Sequence, residues 1–193
     1  METNLELERS QSQVLSMHPK KFALWLFIIS ISMIFAAMTS AYIVKQAEGN
    51  WLIFDMPDAF IWTSVVIIIS SITMQWAYFA AQKDNLQQIK VAVLLTSILS
   101  IVFLVGQYYS WEQLVSQDVY FVGNPAGSFV YVFTGLHAFH LISGIVFLFI
   151  VLYSAMKYKI HSKAMVQIEM CTTYWHFLGG LWLYFYLFLL TNN

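Results

Sequence analysis

Long, almost uninterrupted apolar runs separated by polar stretches dominate this chain. Five of them, roughly 22–44, 59–81, 91–111, 129–156 and 165–190, stand out. Each is long enough to cross a hydrocarbon core about 30 Å thick at about 1.5 Å of helical rise per residue. The pattern predicts an all-α integral membrane protein, a bundle of five transmembrane helices. Residues 1–21 read as a polar segment ahead of it, and 22–193 as one membrane domain. The connection 45–58 carries Gly49, Asn50, Asp55, Pro57 and Asp58, and the connections 82–90 and 157–163 are short and polar. The connection 112–128 contains Gly123-Asn124-Pro125-Ala126-Gly127, a strong turn signal.

Composition moves the chain further from the soluble class. It is 60% hydrophobic and 10% charged, with a mean hydropathy of +0.68, whereas soluble domains are about a quarter charged. At 193 residues it is one domain's worth of chain, and a net charge of -1 excludes a basic nucleic-acid binder. The first apolar run is longer than the apolar region of a secretory signal, so it is expected to remain as a span.

Charge placement gives an orientation. Arg9, Lys20 and Lys21 precede the first span, Lys83 and Lys90 flank the loop after the second, and Lys157, Lys159 and Lys163 fill the loop after the fourth. Lys45 alone falls on the other side. Basic residues near spans are retained in the cytoplasm, so the N-terminus is expected to be cytoplasmic and the C-terminus outside.

Trp51 and Trp111 fall at span ends, where amphipathic rings favour the membrane interface, and Trp25 and Trp76 lie deeper. Small residues mark expected close helix contacts: Ala36 with Ser40, Ala37 with Ala41, then Gly135, Ser143 and Gly144, then Gly179 and Gly180. Cys171, the single cysteine, can form no internal disulfide and reads as a small buried hydrophobe.

Ionisable groups inside a membrane are costly and usually have a purpose. Span four carries His137 and His140, one turn apart, and span five carries Glu169 and His176, two turns apart. A short connection makes these spans antiparallel neighbours, so the three imidazoles could meet. Three readings stay open: hydrogen bonds between helices, ligation of a metal or haem, or a proton path with Glu169. Glu169 is expected to bond to a neighbouring helix or to the basic loop 157–163. A redox or hydrolytic centre would usually show more ligands and second carboxylates beside them. No phosphate loop, nucleophile elbow or pair of catalytic carboxylates is present in the sequence.

At these residues the chain resembles subunit III of the haem–copper oxidases, the cytochrome c oxidase subunit III family. Thr134-Gly135-Leu136-His137-Ala138-Phe139-His140 resembles that family's Thr-Gly-x-His-x-x-His segment. Glu169 followed by Tyr174-Trp175-His176-Phe177 and Trp182 resembles its last helix. Gln107 with Trp111-Glu112-Gln113-Leu114 is similar to the close of an earlier span, with Trp and Glu exchanged. Gly127-Ser128-Phe129 and the opening Trp25-Leu26-Phe27 with Ala41-Tyr42 fit as well. The likeness runs from about Lys20 to Leu190 and is to the shorter bacterial form, which lacks the first two of seven helices.

The resemblance implies a non-catalytic subunit of a proton-pumping terminal oxidase in a bacterial inner membrane. Haem and copper would sit in partner subunits, with no cofactor in this chain. Its implied neighbours are subunit I directly, subunit II, a small subunit IV, and membrane phospholipid held between helices. A supercomplex with a cytochrome c-reducing complex is compatible with this. The implied lipid-binding or interhelical polar cluster is His137, His140, Glu169, Trp175 and His176. Two positions depart from the family. Ile31 follows Ser30 where the family commonly has an intramembrane Glu, and Gly179-Gly180 stands where it tends to have Asp-Val. Both changes weigh against a proton role. Rivals with the same fold are subunit III of a quinol oxidase and the accessory subunit of a nitric oxide reductase. Rivals of other classes are a small membrane haem protein with His137 and His176 as axial ligands, and a transporter. Against the transporter, no inverted repeat stands out in the sequence.

Overall fold

The structure, a computed structural model, describes residues 18–49, 51–157 and 164–192. Those residues form five helices and no strand: α1 Pro19–Ala47, α2 Ala59–Gln82, α3 Leu86–Ser116, α4 Pro125–Met156 and α5 Val166–Asn192. Most of the polar segment 1–21 and of the basic loop 157–163, including Lys159 and Lys163, lies outside the described residues.

Local chemistry sets several helix starts. His18 Nδ1 accepts from Lys20 N at 3.3 Å ahead of α1, and Asn85 Oδ1 accepts from Gln88 N at 3.2 Å ahead of α3. Asn124 Oδ1 accepts from Ala126 N at 2.9 Å, with Pro125 as the first residue of α4. Such caps satisfy backbone donors that the first turn leaves over. The turn signal at Gly123-Asn124-Pro125-Ala126-Gly127 is therefore largely a helix start: proline fits the first helical position, where no N–H is needed. The helices also outrun the apolar runs, since α3 begins at Leu86 and ends at Ser116. Hydropathy reports the stretch that faces hydrocarbon, while a capped helix continues into the polar interface.

By length and apolar character α1 to α4 can each cross a membrane. The apolar run of α5 is interrupted by Glu169, Thr172, Thr173 and His176, yet its 27 residues extend about 40 Å. It lies alongside α1 at both ends. Lys21 Nζ bonds Glu169 Oε2 at 2.7 Å at the start, and Gln46 Nε2 donates to the Asn192 carbonyl at 2.6 Å at the finish.

Helices α2, α3, α4 and α5 close into a ring in which each touches the next and α5 returns to α2, and α1 packs outside against α4 and α5. The buried residues of α1 explain that position. Ile28, Ile31, Phe35, Thr39 and Tyr42 fall on one narrow stripe at helical spacing. Helices inside the ring bury more: α3 has Ile89, Val93, Thr96, Ser100, Phe103, Gln107 and Leu114 turned inward. Consecutive helices run antiparallel, so Lys20, Lys21, Lys83, Lys90 and Lys157 gather at one end of the bundle and Lys45 at the other.

The small residues divide. A Cβ on Gly144 would lie 3.0 Å from Leu178 Cδ1 and 3.2 Å from Trp175 Cζ3, so α4 and α5 approach closely there. Gly179 similarly admits Ser71 of α2, whose Oγ would lie 3.1 Å from an added Cβ. Gly135 and Gly180 have open space around them, and Ala36, Ala37, Ser40 and Ala41 are exposed. These six do not seat a neighbouring helix among the described residues, and for the four on α1 the reason is that the helix turns its large apolar stripe inward rather than its small one. Cys171 is buried, and Trp25 and Trp76 are exposed on the outer faces.

Candidate functional site

The polar residues singled out by the sequence lie in or beside the ring, but the three imidazoles do not converge. His137 and His140 are three residues apart, which turns them about 60° from one another around α4. His140 faces α1, with its ring centroid 5.9 Å from that of Phe35, and its Nδ1 donates to the Leu136 carbonyl of its own helix at 2.8 Å. His137, on the adjoining face, points into the ring. It is 0% exposed and packs against Phe103 of α3 at 5.9 Å and Trp182 of α5 at 5.3 Å. His176 faces α2, where its Nε2 donates to Gln75 Oε1 at 2.9 Å. His137 and His176 therefore do not flank a common space, as two axial haem ligands must. Among the described residues no three His, Cys, Asp or Glu side chains gather as a metal-binding group.

Trp175 and Glu169 each tie α5 to another helix. The buried indole of Trp175 donates to Ser70 Oγ of α2 at 2.8 Å. Glu169 takes the first of its two expected routes, a neighbouring helix, through its 2.7 Å ion pair with Lys21. Both partners keep solvent access, with side chains 32% and 39% exposed, so the pair contributes about 0.2–1 kcal/mol. Its place in the first turn of α5 adds a favourable interaction with the helix dipole.

Several polar residues that carry the interior escape a reading of the sequence alone. Trp182 donates to Ser64 Oγ of α2 at 3.0 Å. Thr73 and Thr96 share a hydrogen bond of 2.8 Å between α2 and α3. Trp111 donates to Thr134 Oγ1 at 2.9 Å between α3 and α4, and Tyr174 bonds Ser143 at 2.7 Å between α5 and α4. The matching spacings were a usable signal: Trp175 and Trp182 are seven apart, and Ser64 and Ser70 six apart on an antiparallel partner. Inside a membrane such bonds replace the water that the indoles and hydroxyls would otherwise need.

Several grooves open on the outside of the bundle, among them the following two. One of about 700 Å³ lies between α1 and α4, walled by Ala37, Met38, Ala41, Phe129 and Val132, with Lys45 at its polar end. Another of about 450 Å³ lies between α2 and α5, walled by Ile67, Ile68, Ile72 and Gly180, with Gln75 and His176 at one end. The arrangement as a whole joins helices and offers apolar channels with polar ends.

Comparison with known proteins agrees with this architecture. The cytochrome c oxidase subunit III family matches residues 53–192, which takes in α2 to α5 and both His-bearing motifs. Cytochrome c oxidase subunit 3 of Corynebacterium diphtheriae is 28% identical over 165 residues, 81% of this chain and 80% of that protein. Cytochrome bo(3) ubiquinol oxidase subunit 3 of Buchnera aphidicola is 24% identical over 179 residues, 90% of this chain and 94% of that protein. This multi-pass membrane chain belongs to the cytochrome c oxidase subunit III family.

Proposed function

We propose that the chain is the non-catalytic subunit III of a proton-pumping haem–copper terminal oxidase of aerobic electron transport. Oxygen reduction takes place in the partner subunits, which hold the haem and copper. This chain stabilises the catalytic subunit I beside it and holds phospholipid. The observation that carries the reading is the family match across α2 to α5. The side chains agree with it, since Glu169, Trp175 and His176 are engaged in bonds between helices.

All five helices cross the membrane in this reading, with the N-terminus in the cytoplasm of a bacterial cell. The lysine-rich end of the bundle faces inward, as basic residues near spans do. Phospholipid occupies the groove between α1 and α4, with acyl chains along Ala37, Ala41 and Val132 and the headgroup near Lys45. The groove at His176 takes a second chain. His137 and Trp175 are interior, so their part is packing and interhelical bonding rather than lipid contact.

The test is an oxidase purified with and without this subunit, followed over many turnovers. The reading expects normal initial activity without it, then faster loss of activity, and fewer bound phospholipids. Equal lifetimes and equal lipid content would overturn it. A quinol oxidase is the second reading, favoured by the ubiquinol oxidase relative that matches over 94% of its own length. Copper in subunit II supports cytochrome c as donor, and its absence supports quinol.

A further inference from the structure

Within the ring, Gln107 and His137 depart from an otherwise hydrogen-bonded interior, and Trp51 Nε1, in the connection after α1, is a further buried atom without a partner among the described residues. Gln107 and His137 are buried, at 2% and 0% exposure. The amide nitrogen and oxygen of Gln107 and both ring nitrogens of His137 have no hydrogen-bond partner among the described residues.

The packing brackets the two residues at one level. Phe103, one turn before Gln107 on α3, packs on the His137 ring at 5.9 Å. Trp111, one turn after Gln107, bonds Thr134, one turn before His137 on the antiparallel α4. Gln107 is thus held between Phe103 and Trp111 on the face that meets the 134–137 turn of α4.

The nearby hydroxyls are already engaged. Thr134 Oγ1 accepts from Trp111 and donates to the Val130 carbonyl at 2.7 Å. Ser64 Oγ accepts from Trp182 and donates to the Phe60 carbonyl at 2.7 Å. The surrounding walls are aromatic: Phe103, Trp182 and Phe185 all pack on His137.

We propose that Gln107 and His137 form a binding site for internal water that bridges α3 and α4 inside the bundle. Their chemistry matches that occupant. A neutral imidazole offers one donor and one acceptor, and a primary amide offers two donor hydrogens and a carbonyl. Water supplies two donors and two acceptors, and buried waters typically make about three hydrogen bonds to groups the protein leaves unpaired. A water donating to Gln107 Oε1 and to the unprotonated ring nitrogen accepts in return from the Gln107 amide N–H, and the ring N–H, which points to the other side of the imidazole, donates to a second water. The bridge completes the interior of the ring at a level where, among the described residues, protein groups alone do not.

The test is solid-state NMR of the full chain with its co-purifying subunits in lipid bilayers, using ¹⁵N-labelled histidine and glutamine. His137→Phe and Gln107→Leu assign the two signals. The expected result is magnetisation transfer from water to both side chains. Each signal's transfer should fall at least severalfold when the other residue is replaced. A ring and amide that receive no transfer, or a scalar coupling directly between them, would overturn the proposal. Should His137→Phe fail to fold, transfer in the wild-type chain together with Gln107→Leu still decides.

Discussion

The indole N–H of Trp182 reaches across from α5 to Ser64 Oγ of α2 at 3.0 Å, in the buried seam where the ring of helices closes. A buried donor left unpaired costs about 1–3 kcal/mol. Ser64→Ala should therefore destabilise the chain by about that amount, as read by thermal unfolding in detergent. Trp182→Phe in the Ser64→Ala background should cost less than in the wild type, because the donor is already orphaned. Strict additivity of the two changes would contradict a specific bond.

Gly144 and Gly180 should behave differently under substitution. A larger side chain at Gly144 meets Leu178 and Trp175, whereas Gly180 has nothing within 4 Å. Gly144→Leu is expected to cost about 1–3 kcal/mol through overpacking. Gly180→Ala should leave the thermal stability of the purified chain unchanged or slightly raised. Equal effects at the two positions would show that α4 and α5 are not in close contact at Gly144.

The Lys21–Glu169 pair should be weak, coupled and sensitive to salt. Glu169→Gln and Lys21→Gln are each expected to lower stability by up to about 1 kcal/mol, and the double change by little more than either alone. Raising ionic strength should shrink the effect, since both side chains keep solvent access. An unchanged thermal midpoint and lipid content in Glu169→Gln would remove any role for the pair.

Much of the bundle can be read directly from hydropathy. Uninterrupted apolar runs need internally satisfied backbone, which in lipid means helices. The adjacency of α4 and α5 follows from their short connection. Closure of the ring through α2 and α5 is less accessible, because it depends on pairs such as Ser64 with Trp182 that lie far apart in sequence. Spacing places His137 and His140 on adjoining faces of α4. It does not reveal that α1 covers one imidazole while α3 and α5 enclose the other. Gln107 is visible as a polar residue in an apolar run, but its isolation from protein partners emerges once the neighbouring hydroxyls are found committed elsewhere.

Ile31 tests whether this chain has given up an intramembrane carboxylate at that position. The side chain is 1% exposed, within the α1 stripe that packs on α4 and α5. Ile31→Glu should cost several kcal/mol through burial of an ionisable group without a prepared partner. Ile31→Val should cost about 0.5–1.5 kcal/mol. The measurement is thermal unfolding of the two variants side by side. Equal stability of Ile31→Glu and Ile31→Val would mean that the position retains a polar environment.

The central claim, membership of a terminal oxidase as a subunit without a redox centre, is tested most directly by affinity purification of the tagged chain in mild detergent. A reduced-minus-oxidised spectrum and mass spectrometry of the co-purifying proteins give the readout. The account predicts an oxidase spectrum together with a large multi-span partner and a subunit II. A chain that purifies alone and carries its own haem b would contradict it.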